Sequence, residues 1–423
     1  MRVQVQYGEQ GLAVEVPGHR VTVIEPRFVA GLDDERAAVL QALRAPLGRP
    51  KPSDWMASCR RLAIVVPDGT RPLPSYRILP WLLAELGQPS PERVVIIVGT
   101  GSHRANDRSE LVRMLGQEIV DRYEVVNHDA HAPATLELAG HASDGRRISM
   151  NRAYVEADRR IVLGFVEPHF MAGFSGGYKG VFPGIADIDS ILHYHRAQVI
   201  ADPKSTWGVL DGNPTQAQIR RYGSLLPIDL CVNVTLNKHR QLTAVFAGDP
   251  ILVHERAAEF VRETAMAACA HRFPIVLTTN GGYPLDQNLY QTVKGISAAA
   301  LITEKDGLIV VAARCNDGFP DHGNFKKLLT AHDSPEALMR TILAPGFSLY
   351  DQWQAQLLAA CRLHARVALH SELSDAEVRS AHLEPAADVT GQLARELERL
   401  GGDAPIAVLP EGPMTIPYLT AAP

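Results

Sequence analysis

Short apolar runs, separated by longer amphipathic stretches, set the rhythm of this chain. Residues 61–67 (RLAIVVP), 93–99 (RVVIIVG) and 160–166 (RIVLGFV) are nearly continuous in Val, Ile and Leu, and 274–280 (PIVLTTN) and 307–313 (GLIVVAA) repeat the pattern. Runs this short and this apolar suit strands covered on both faces, as in a parallel sheet. Between them, 76–87 and 107–118 space their apolar residues at helical intervals. The alternation predicts an α/β fold of parallel sheets and crossover helices. The opening segment instead alternates polar and apolar residues around Gly8–Gly11 and Pro17–Gly18, which predicts an antiparallel hairpin. A further helix is expected over 252–270, broken by a basic–Phe–Pro sequence before the strand at 274. That break sets the expected domain boundary: residues 1–270 form a cofactor-binding α/β domain and 271–423 a second α/β domain. Each is expected to hold a mainly parallel sheet flanked by helices, with the active site in the cleft between them. The Pro-rich tail after about 400 either returns to the first domain or lies loose.

Size and composition narrow the function. A chain of 423 residues is too long for one compact core, in keeping with two domains. The net charge of −5 does not suggest the basic face that nucleic acid would need, so no nucleic-acid partner is expected. No run of apolar residues is long enough for a membrane-spanning helix, and the N-terminus lacks the charged-then-apolar build of a signal peptide. A cytoplasmic protein with no membrane partner is the expectation. Five cysteines, at 59, 231, 269, 315 and 361, are odd in number and form no CxxC pair, which argues against a disulfide framework or a thiolate zinc site.

The chemistry collects just beyond the carboxyl ends of the expected strands, where α/β sheets bind ligands. The first run leads into Asp68-Gly-Thr70-Arg71-Pro-Leu-Pro, the second into Thr100-Gly-Ser-His103-Arg104, and the third into Glu167-Pro-His169. Arg71 offers a two-pronged donor for a carboxylate, or is a plain surface residue in a turn. His103 follows a Gly-rich turn that can present amides to an anion, or is a capping residue. Residues 168–184 (PHFMAGFSGGYKGVFPG) pack glycines, Ser175, Lys179 and His169 together. This is not a Walker A loop, because Gly180 follows the lysine where Ser or Thr would be required. A lysine in such a loop serves as a phosphate partner or an amine nucleophile. His193 and His195, two apart, point in different directions on any regular element, so they do not bind one metal together. Tyr290, Gln291 and Lys294 share one side of an expected helix, either as a site or as an ordinary solvated helix start.

Taken together, these segments resemble the lactate racemase family of nickel-pincer nucleotide racemases and epimerases. Its DxTRPxP motif is found at Asp68–Pro74, GTGxHR at Gly99–Arg104, PHxxxGxSGGxKxxxPG at Pro168–Gly184 and YQxxK at Tyr290–Lys294. Residues 315–325 and Asp351-Gln352-Trp353 look like two later family elements. The resemblance implies a racemase or epimerase of a small, lactate-like 2-hydroxy acid. It implies a nickel-pincer nucleotide, a pyridinium-3,5-bisthiocarboxylic acid mononucleotide carrying nickel, held covalently by Lys179 and built by separate biosynthetic enzymes. Asp68, Thr70, Ser175, Gly176 and Gly177 would complete the cofactor seat. His195 would be the nickel ligand, and His103 and His169 the acid–base pair. Arg71, Tyr290, Gln291, Lys294 and Trp353 would bind the substrate. Tyr178 is bulky at a position the motif leaves open. Two other classes compete. A nicotinamide dehydrogenase would need a GxGxxG turn that Gly99 and Gly101 do not begin. A non-catalytic cofactor carrier or metal-binding protein would need neither two histidines nor a carboxylate clamp.

Overall fold

The computed structural model describes residues 1–320 and 323–420 and groups them into two compact units. Unit 2 comprises 28–194 and 204–262, and unit 1 comprises 1–27, 195–203 and 263–423.

Unit 2 is built on a six-stranded sheet. Its order runs Leu242–Gly248, Leu230–Leu236, Arg159–Phe165, Leu62–Pro67, Val94–Gly99, Glu124–Asn127. Every neighbouring pair is parallel except the first, which is antiparallel. The continuous apolar runs are continuous because both faces are covered. Leu62, Ile64 and Val66 enter one core cluster with Val94, Ile96 and Val98, while Ala63, Val65, Val95 and Ile97 enter a second. A period of two thus assigns alternate residues to opposite faces. The helix Ser75–Glu85 forms as expected. The stretch 107–118 does not form one helix: Arg108–Leu115 ends at Gly116, with φ +92°, and Gln117–Arg122 begins anew. Glycine tolerates that backbone where a side chain would be strained.

Unit 1 has its own six-stranded sheet, parallel throughout, in the order Glu384–Pro385, Arg366–His370, Thr303–Ala312, Phe273–Thr279, Ile406–Leu409, Val21–Val23. The N-terminal hairpin pairs Arg2–Val5 with Leu12–Glu15 as expected, and its Val5 and Val14 join the core of this unit. One expectation needs correction. The helix that begins at Pro250 stops at Ala265, and Met266–Cys269 is a strand paired in parallel with Ile416–Leu419 of the tail. Pairing across such a separation leaves no local trace in the sequence. The compact units themselves are discontinuous in sequence. Residues 1–27 and 195–203 belong with the C-terminal part, because Val21–Val23 completes its sheet and Ala197 enters its core. The tail stays with that unit too, through Ile406–Leu409 and Ile416–Leu419. Among the described residues no helix is long and apolar enough to cross a membrane.

Candidate active site

In unit 2 the candidate residues leave the carboxyl ends of three adjacent parallel strands. After Leu62–Pro67 the chain turns through Asp68, closed by the Arg71 amide donating to the Asp68 carbonyl at 3.1 Å. The Asp68 side chain is 5% exposed. One of its oxygens accepts from the Thr70 hydroxyl at 2.6 Å, and the other lies 2.7 Å from His103 Nδ1. Burial alone pushes this carboxyl up, but the bonds to His103 and Thr70 and the charge of Arg71 hold it below its ordinary value. It is therefore ionised at neutral pH, and the half-exposed His103 ring is anchored on it.

The Gly-rich turn before His103 is occupied by its own chain. The Gly101 amide donates to the Gly184 carbonyl at 2.9 Å and the His103 amide to the Thr100 carbonyl at 2.9 Å. The helix that follows is capped by Asp107 and Glu110 in a reciprocal capping box. His169 sits in a two-residue strand paired with Gly173–Phe174. Its Nδ1 accepts from the backbone amides of Met171 and Ala172, each at 3.2 Å, and its ring stacks on Phe170 at 4.8 Å.

The segment that carries Lys179 is packed from both sides. The Ser175 hydroxyl donates to the Phe165 carbonyl at 3.0 Å and accepts from the Glu167 amide at 2.9 Å, tying the loop to the strand end. The Gly177 amide donates to Asn233 Oδ1 at 2.8 Å. A side chain at Gly176 would come within 2.7 Å of Val166 and 2.8 Å of Asn233, and one at Gly177 within 3.0 Å of His254. His254, fully buried on the apolar face of the helix Pro250–Ala265, donates through Nε2 to the Ser175 carbonyl at 3.0 Å. Burial pushes this imidazole down to about 4, so it is neutral and keeps that role. Lys179 then projects from a short 3-10 turn, Gly177–Gly180. Tyr178 packs into the unit core, which explains how a bulky residue is accommodated there.

Asn233 and His254 were not singled out from the sequence. Each carried a signal: Asn233 is polar within the apolar run LCVNVTL, and His254 falls among Pro250, Val253, Ala257, Ala258 and Val261 at helical spacing.

In unit 1, Tyr290, Gln291 and Lys294 lie on the helix Leu289–Ala300, capped by Asn288. Lys294 Nζ donates to Gln291 Oε1 at 2.8 Å. Trp353, in the first turn of Gln352–His364, donates through its indole N–H to the Tyr290 hydroxyl at 3.1 Å. Burial, with Asp351 nearby, pushes the Tyr290 phenol up, so it stays a neutral hydroxyl. The Trp353 ring stacks on His195 with centroids 4.2 Å apart. The two histidines of the HYHR sequence are divided between the units: His193 ends the helix Ile188–Tyr194 in unit 2, and His195 begins the excursion that belongs to unit 1. Within the 315–325 segment, Asp321 and His322 lie outside the described residues. Among the described residues no group of three or more His, Cys, Asp or Glu could hold a metal ion.

Comparison with known proteins places the chain in a family. Residues 7–208 match the lactate racemase N-terminal domain and 269–416 the lactate racemase C-terminal domain. The chain is 34% identical to a lactate racemase of Thermoanaerobacterium thermosaccharolyticum over 97% of both chains. It is also 34% identical to one of Lactiplantibacillus plantarum, over 89% of this chain and 90% of that one. The solved structure of the lactate racemase apoprotein from T. thermosaccharolyticum superimposes with a TM-score of 0.92 at 32% identity, covering 99% of this chain and all 100% of that one. A Thermotoga maritima protein shares the fold at 18% identity and a TM-score of 0.63, over 89% and 99% of the two chains. The chain belongs to the lactate racemase family and is, with that family, an isomerase.

Proposed function

We propose that the protein racemises or epimerises a small, lactate-like 2-hydroxy acid, with His103 and His169 exchanging the hydroxyl proton. The observation that carries this reading is the Asp68–His103 pair, on a strand end of the same sheet as the strand leading to His169. A carbon bearing a hydroxyl and a carboxylate is a poor carbon acid, so direct removal of its proton is difficult. Taking that hydrogen as hydride needs a matching loss of the hydroxyl proton, which an imidazole accepts near neutral pH. Enantiomers held by the same carboxylate present their hydroxyls differently, so racemisation calls for two bases. Arg71 and Lys294 supply positive charge for the carboxylate, with Tyr290, Gln291 and Trp353 shaping the room for the substrate side chain.

The residues present fit the family's nickel-pincer nucleotide in kind. Lys179 is an amine on a turn fixed by Ser175, Gly177, Asn233 and His254. His195 is an imidazole oriented by an aromatic ring. When bound, that group supplies a pyridinium ring able to accept and return hydride and a nickel ion with sulfur ligands. Lys179 would attach it, with Asp68, Thr70 and the 175–177 loop framing the seat, and His195 would complete the metal's ligands. The protein would work inside the cell, alongside the enzymes that build the group.

The test is to follow loss of optical rotation across a panel of 2-hydroxy acids, with the reaction also run in heavy water. Hydride transfer leaves C2 unlabelled. Rapid deuterium entry at C2 would refute it, and no racemisation of any acid by fully loaded enzyme would refute the activity.

A further inference from the structure

The two active-site histidines are held by chemically opposite partners. His103 Nδ1 faces the Asp68 carboxylate at 2.7 Å. An ionised carboxylate only accepts hydrogen bonds, so His103 Nδ1 must carry a hydrogen, and the neutral ring keeps its lone pair on Nε2. Rotating the ring would present C–H to a buried anion whose second oxygen is already taken by Thr70. His169 Nδ1 faces two backbone amides at 3.2 Å, from Met171 and Ala172. Amides only donate, so this Nδ1 holds the lone pair and the neutral ring carries its hydrogen on Nε2. Both amides lie in a buried turn, with Met171 3% and Ala172 0% exposed, and they cannot reverse polarity as a hydroxyl can.

We propose that the fold fixes His103 and His169 in opposite neutral tautomers, so that His103 is the ready proton acceptor and His169 the ready hydrogen-bond donor. The catalytic meaning rests on the acid–base reading above; the tautomers themselves do not. In one direction His103 Nε2 takes the hydroxyl proton, and the resulting imidazolium is stabilised by Asp68 through Nδ1–H. In the other direction, accepting a proton at His169 Nε2 requires its hydrogen to move to Nδ1 and the Met171 and Ala172 amides to be released. The two enantiomers therefore meet unequal bases. Asp68 is a positioning residue that acts through His103.

The experiment is long-range 1H–15N spectroscopy of the full chain labelled at its histidine side chains. His103→Gln and His169→Gln, each removing one ring, provide the assignments. His103 is expected to show a lone-pair nitrogen at ε2, and His169 at δ1. The same tautomer in both rings overturns the proposal. Asp68→Asn replaces an acceptor-only carboxylate with an amide that can also donate to His103 Nδ1, so the His103 tautomer is expected to change while His169 keeps its own. An unchanged His103 ring in that variant overturns the role of Asp68. In the loaded enzyme Asp68→Asn should lower kcat by about 10²–10⁴-fold with little change in KM, as mis-set tautomers do in other Asp–His systems. If the spectra are as expected but the histidine variants racemise normally, the acid–base reading falls and the tautomer assignment stands. If the histidine variants are inactive but the two rings share one tautomer, the tautomer assignment falls and the acid–base reading stands.

Discussion

Units 1 and 2 each rest on a six-stranded sheet, yet they carry their candidate residues in different ways. In unit 2 the groups sit on loops at strand ends, and nearly every polar atom that orients them is buried: Asp68 behind His103, and Asn233 and His254 behind the Lys179 loop. In unit 1 they sit on helices and rings. Lys294 lies beside Gln291 along one helix, and Trp353 bridges Tyr290 and His195 by one hydrogen bond and one stack. On the proposed reading, the loops backed by buried partners would set protonation states and hold the attaching amine, and the helix faces and aromatic rings would set shape and charge. Substitutions in unit 2 should therefore remove chemistry, whereas most in unit 1 should alter binding.

The largest expected effect lies in unit 2. Protein made together with the cofactor-building enzymes should be heavier than the bare chain, with the added mass on the peptide containing Lys179. Lys179→Ala should lose both that mass and all turnover; a fully active enzyme of unmodified mass would break the assignment. His195 is the exception that sharpens the comparison, as the one residue of unit 1 expected to be indispensable. His195→Ala should abolish nickel retention and activity, while His193→Ala should change both by less than about tenfold. Elemental analysis decides, and the reverse result would move the metal ligand into unit 2.

Intermediate effects belong to the carboxylate clamp. Lys294→Ala should raise KM by roughly 10–100-fold, as loss of a charged hydrogen-bonding partner does, with kcat less affected. Esters and amides of the substrate should react poorly. If Trp353 walls the substrate side chain as proposed, small aliphatic acids should turn over faster than dicarboxylates, and malate turning over faster than lactate and 2-hydroxybutyrate would remove that wall assignment. The smallest effect concerns stability alone. His128 and His254 are buried, with burial pushing both from 6.5 to about 4. The unfolded chain takes up these protons first, so stability is full above about 6.5 and is lost as pH falls towards 4, by up to about 3 kcal/mol per histidine. Urea midpoints between pH 7.5 and 4.5 should fall accordingly; a flat profile would mean that these rings are not held neutral.

The sequence was most legible where structure is local or strongly periodic. The strand Val94–Gly99 announces itself because each residue of 94–98 enters a core, and the loops after the strands follow from where α/β sheets bind ligands. Pairings across long separations were silent. Asp68 meets His103 across 35 residues and Gly177 meets Asn233 across 56, and neither partner is implied by its neighbours. The strand Met266–Cys269 was hidden for the same reason, since its partner lies in the tail. The need for glycine at 176 and 177 is equally non-local: a side chain there would meet Val166, Asn233 and His254, which only the fold brings near.

The division of the chain bears on how such a protein can be recombined. Unit 2 is written in two pieces inside unit 1, and the nine residues 195–203 are a fragment of one unit embedded in the gene text of the other. A chimera joined at a single point near 270 would inherit Val21–Val23 and His195 from one parent and the rest of their sheet, with the Trp353 stack, from the other. Exchange between relatives that respects the units needs four joints, at 27/28, 194/195, 203/204 and 262/263. The ring that Trp353 meets lies more than a hundred and fifty residues upstream, so an exchange that carries one of these two stretches without the other puts the His195 stack at risk.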